Sequence, residues 1–126
     1  MIPSKGSAQV ILARDMPEVV RLMEHGRVSG EGIRLMNKKA LFRVIRVGGL
    51  DVRAANILKQ EMLSKGGDAA VHAGVVNCRQ QVSDVILMGT LRQYRRVIKS
   101  LRIQPVGLPK LAEKLKTLLD PPGGQV

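Results

Sequence analysis

Aromatic residues, acids and cysteine are all scarce in this chain. One tyrosine, one phenylalanine and no tryptophan leave little from which to build a surface that stacks successive bases on rings. The single cysteine, Cys78, excludes an internal disulfide and a cysteine-rich metal site, and fits a reducing compartment, the cytoplasm by default. His25 and His72 have no third ligand at a recognisable spacing, so neither a metal nor another cofactor is expected. No long apolar run follows Met1 to Gly6, so neither a signal peptide nor a membrane span is visible, and no membrane partner is expected. With 10 acids in all, most of them read as helix caps or exposed helix residues, no carboxylate pair is placed for general acid and base work.

What is abundant is positive charge and apolar surface. The 126 residues carry a net charge of +11 with 44% hydrophobic content, enough for one folded domain with a core of its own. A basic surface attracts nucleic acid, acidic membranes or anionic ligands before any specific chemistry acts. The charge is uneven. Residues 92 to 116 hold eight bases and one acid, seven of the eleven net charges.

The chain reads as α/β, a small three- to four-stranded mixed sheet covered by about four helices. Gln9 to Ala13 is a candidate first strand, and Asp15 before Met16-Pro17-Glu18 is a helix start, the helix ending near Gly26. The segment Ile33 to Met36 stays unassigned. Leu41 to Val47 is rich in β-branched and apolar residues and stops at Gly48-Gly49, a central strand entering a turn. Asp51 stands where a cap belongs for a helix from Arg53 to Lys65, closed by Gly66-Gly67. Ala69 to Ala73 is a short strand, Gly74 to Val82 a turn or ragged edge, and Asp84 to Met88 a strand whose unbroken apolar character suits burial on both faces. Strand, helix and strand in this order suggest a crossover. Leu91 to Arg102 is a helix with Leu91, Tyr94, Val97, Ile98 and Leu101 on one side. Leu108, Leu111, Ala112, Leu115, Leu118 and Leu119 trace the buried stripe of a last helix. Residues 1–120 thus form a single domain, and 121–126 a proline- and glycine-rich tail or the start of a linker.

The candidate sites are all anion sites. Gly48 and Gly49 lie at the foot of a helix where backbone N–H groups can hold a phosphate, yet the stretch lacks the P-loop lysine and the full dinucleotide fingerprint, which favours an ordinary turn. Thr90 opens a second helix of the same kind. Arg92, Arg95, Arg96 and Lys99 form the polar face of that helix, which reads first as a solvated face and second as a surface for an anionic ligand or RNA. Phe42 and Tyr94 both fall where the core should be. RNA binding through phosphate contacts is therefore the alternative to a protein-docking role, and an independent enzyme using Cys78 is a weaker third reading.

Several blocks then resemble, in order, the extension that precedes the catalytic barrel in some bacterial dihydropteroate synthases. They are Ala40-Leu41-Phe42-Arg43-Val44-Ile45, Arg53 to Leu63, Gly66-Gly67-Asp68-Ala69-Ala70-Val71, Asp84 to Thr90, and Gln104-Pro105-Val106-Gly107-Leu108. That family condenses a dihydropterin pyrophosphate with p-aminobenzoate, a transferase step of folate biosynthesis, in a (β/α)8 barrel. The barrel's pterin-binding strand motif, of the type Asn-Val-Thr-Pro-Asp-Ser-Phe, is absent from the 126 residues, and a barrel of about 250 residues cannot fit. The resemblance implies a non-catalytic, N-terminal accessory domain with no catalytic residue of its own. Its expected partner is the barrel of the same polypeptide or a dimer partner, with the four bases of Arg92 to Lys99 available to concentrate an anionic ligand.

Overall fold

A computed structural model describes residues 5–73 and 81–120. Helix α1 (Met16–His25) begins where Asp15 accepts the Glu18 N–H, with proline in its first turn. Helix α2 (Gly30–Met36), the segment left unassigned by pattern, is capped by Ser29 and continues into a single 3₁₀ turn, Asn37–Lys39. Strand β1 (Phe42–Asp51) leads directly into helix α3 (Val52–Ser64), capped by Asp51 through the Arg53 N–H at 2.8 Å. Strands β2 (Asp68–Val71) and β3 (Val82–Thr90) follow, then helices α4 (Leu91–Leu101) and α5 (Leu108–Leu119). Cys78, most of the Gly74 to Val82 segment, and the tail from Pro121 lie outside the described residues.

The sheet order is β1-β3-β2, and both pairings are antiparallel. This confirms an open α/β fold and corrects the expected mixed pairing. β1 and β2 do run in the same direction, as the crossover through α3 requires, but β3 inserts between them, so no neighbouring strands are parallel. The helices number five among the described residues. Gln9 to Ala13 is not a strand: it pairs with no described strand and leaves Val10 and Leu12 in solvent, with Arg43 donating to the nearby Arg14 carbonyl.

Period two decides what the sheet buries. Ile45, Ala69, Val85 and Leu87 point to one face and are buried beneath α3 and α4, where Ala54, Ala55, Leu58 and Met62 meet Leu91, Tyr94 and Val97. The two alanines let α3 lie close to the strands. Helix α5 adds Leu108, Leu111, Ala112 and Leu115 to the same core. Tyr94 is fully buried and donates to the Arg43 carbonyl at 2.8 Å, and burial raises its phenol above the usual range. Gly67 lies so near β3 that an added Cβ would stand 2.8 Å from the Met88 carbonyl oxygen.

The opposite face is uncovered among the described residues. Val44 pairs with Met88, Phe42 with Thr90, and Ala70 with Ile86, while Arg46 pairs with Ile86 and Asp68 with Met88, so the apolar side chains of this face are interleaved with charged ones. Phe42 is 55% and Val44 62% exposed. Two expectations are corrected here. Phe42 is not a core residue, and β3 is buried on one face only, with Ile86 and Met88 half-buried on the other. Leu118, read as part of the α5 stripe, is likewise exposed.

Candidate functional site

Gly48 and Gly49 do not form the turn expected at the end of the apolar run. They form a bulge within β1, two residues set against Asp84 of β3, with Gly49 at φ +59°. Glycine suits that conformation because a Cβ is disfavoured there. The Asp84 carboxylate accepts the Gly49 N–H at 2.9 Å and Arg46 Nη2 at 2.8 Å. The arginine, then the amide, hold this carboxyl below its ordinary value. The protein's own Asp84 carboxylate thus already takes the Gly49 N–H.

Thr90 is likewise engaged. Its hydroxyl accepts the Gln93 N–H at 3.2 Å while Gln93 Oε1 accepts the Thr90 N–H at 2.8 Å, a reciprocal cap, and the Leu91 N–H goes to the Leu41 carbonyl at 2.8 Å. On this reading Thr90→Ala lowers stability by about 1 kcal/mol, measured as the urea midpoint. An unchanged midpoint would overturn the capping role. Thr90 and the Gly48-Gly49 bulge do not form one site: Asp84 and Thr90 are six residues apart on β3, about 20 Å of strand.

The four bases of α4 do share a face, but not one state. Arg92, Arg96 and Lys99 are exposed. Arg95 is half-buried and gives Nη2 to Asp120 Oδ1 at 2.7 Å. Beside it a cleft of about 240 Å³ opens between α4 and α5, lined by Arg95, Lys99, Arg102, Lys116 and Asp120 over Ile98 and Leu119. Arg102, Lys116 and Asp120 were not singled out by pattern, because their nearness to α4 depends on how the two helices pair.

His25 ends α1 and His72 follows β2, on separate elements. Among the described residues no group of three or more His, Cys, Asp or Glu could hold a metal, and no helix is long and apolar enough to cross a membrane.

No family model matches the chain, and no solved structure matches it. Three curated proteins do. The bifunctional dihydropteroate synthase/dihydropteroate reductase of Helicobacter pylori is 34% identical over 87 residues, covering 69% of this chain and 23% of that protein. A probable bifunctional folylpolyglutamate synthase/dihydropteroate synthase of Halobacterium salinarum is 31% identical over 97 residues, 77% of this chain and 12% of its own length. Its counterpart in Haloferax volcanii is 34% identical over 87 residues, 69% of this chain and 9% of its own length. The chain therefore spans less than a quarter of the curated relatives it matches. Dihydropteroate synthase is the activity common to all three names, and the chain belongs, as a partial domain, to the dihydropteroate synthase-containing proteins.

Proposed function

We propose that this chain is a non-catalytic accessory domain of a dihydropteroate synthase, acting in folate biosynthesis by docking its open sheet face on the catalytic part of the same polypeptide. The observation that carries the reading is the asymmetry of coverage: most of this chain matches at most 23% of a relative's length, so the greater part of each relative lies outside the matched domain. A three-stranded open sheet cannot supply the closed barrel in which the family's condensation takes place. The uncovered face that carries Phe42, Val44, Ile86 and Met88 beside Arg46 and Asp68 is the mixed apolar and polar kind of surface that a neighbouring domain covers.

RNA binding finds no support. Tyr94 is sealed in the core, so Phe42 is the one aromatic ring exposed on the sheet face among the described residues, while part of the basic helix face is already neutralised by Asp120.

The test assays dihydropteroate formation from dihydropterin pyrophosphate and p-aminobenzoate by this chain, by the barrel and by a polypeptide carrying both. The chain alone is expected to form no product and the joined polypeptide to form it. Product formed by the isolated chain would refute the reading.

A further inference from the structure

Helices α4 and α5 pair antiparallel, and their facing side chains form three rungs. The outer rungs are ion pairs, Arg95 to Asp120 at 2.7 Å and Arg102 to Glu113 at 3.3 Å. From Arg95 the chain climbs α4 by four residues to Lys99 and three more to Arg102, the residue that caps the helix. From Asp120, the cap of α5, it descends by four to Lys116 and three more to Glu113. The middle rung is therefore lysine against lysine, and both lysines line the cleft. Among the described residues neither has a carboxylate partner. In the same cleft Arg95 Nε is shut off from water without a hydrogen-bond partner.

Like charges facing each other repel, and this pair is bracketed by two rungs in which the same two helices do supply an acid for each base. A ligand that brings negative charge between Lys99 and Lys116 would complete the alternation. At about 240 Å³ the cleft is smaller than the 300 Å³ or so at which drug-sized pockets begin, so the ligand is small. We propose that the α4–α5 cleft binds a compact, multiply charged phosphate-class anion, diphosphate being the smallest that offers a separate phosphate to each lysine. This assignment is independent of the docking role.

Calorimetric titration of the 126-residue chain with inorganic diphosphate, orthophosphate and tri-glutamate at low salt tests it. Diphosphate is expected to bind most tightly. Lys99→Gln with Lys116→Gln should weaken it about tenfold, since two charge-assisted contacts are lost. Asp120→Asn should strengthen it about threefold, because it removes a competing carboxylate and releases Arg95. Lys110→Gln with Lys114→Gln removes the same net charge from α5 outside the cleft and should change affinity less than twofold or so. Circular dichroism confirms that each variant is folded. Absence of diphosphate binding, an equal loss in the Lys110 and Lys114 variant, or weaker binding after Asp120→Asn would overturn the site. Tighter binding of tri-glutamate than of diphosphate would overturn the phosphate class.

Discussion

Leu87→Ala is expected to cost about 3 kcal/mol of folding stability, and Met88→Ala, one residue along, less than about 1 kcal/mol. Leu87 sits at the centre of the sheet, paired with Ile45 on one side and Ala69 on the other, all three on the helix-covered face. It is fully buried, so truncation leaves a cavity that a close-packed core refills only partly. Met88 points to the open face beside Val44 and is half-buried, so its loss removes area already partly in contact with water. For a domain whose total stability is on the order of 5–15 kcal/mol, the first loss is a large fraction. Urea unfolding of the isolated chain, followed by far-ultraviolet circular dichroism, gives both values. Equal costs, or the reverse order, would mean that both faces of β3 are covered.

That comparison also shows what pattern could and could not decide. The stretch from Val85 to Met88 is apolar at every position, so alternation is invisible, and an unbroken run reads as a strand buried on both faces. Only the pairing with β1 and β2 tells inward Val85 and Leu87 from outward Ile86 and Met88. Elements with a cap and a clear period were legible: Asp51 and the Ala54, Ala55, Leu58, Met62 stripe of α3, or the Leu91, Tyr94, Val97 stripe of α4. Helix α2 was not, because it has seven residues and begins Gly-Glu-Gly, which offers little helical propensity. The bulge at Gly48 and Gly49 resembled a turn because two glycines end an apolar run in either case. What distinguishes them is Asp84, thirty-five residues away, which accepts the Gly49 N–H.

The candidate site divides the same way. The basic stripe of α4 was visible at helical spacing, yet the contacts that differentiate its members lie on α5. Arg95 is bound by Asp120, while Lys99 lines a cleft together with Lys116 of α5. Spacing within one helix cannot reveal which residue of another helix stands opposite. Once the Arg95–Asp120 and Arg102–Glu113 pairs set the register, the middle rung follows from geometry alone.

The proposed docking makes the second large prediction, on the sheet face itself. In the isolated chain, Phe42→Gln with Val44→Glu should shift stability by no more than about 1 kcal/mol, because both side chains are more than half exposed and surface substitutions are mild. β1 is also an edge strand, where charge is well tolerated. Within a polypeptide carrying the catalytic barrel the same pair should behave differently. A glutamate carried into an apolar interface is desolvated without a partner, at a cost of roughly 2–5 kcal/mol. The docked domain then loses the stabilisation its neighbour supplies, and its melting midpoint should fall by about 10 °C relative to the unsubstituted polypeptide. Ile103→Glu provides the control: Ile103 is 86% exposed in the turn after α4 and away from the sheet, so it should leave both melting curves in place. Differential scanning calorimetry of the isolated and joined forms reads all of these. An identical midpoint in the joined polypeptide with and without the sheet-face pair would show that this face stays in water and that docking, if it occurs, uses another surface.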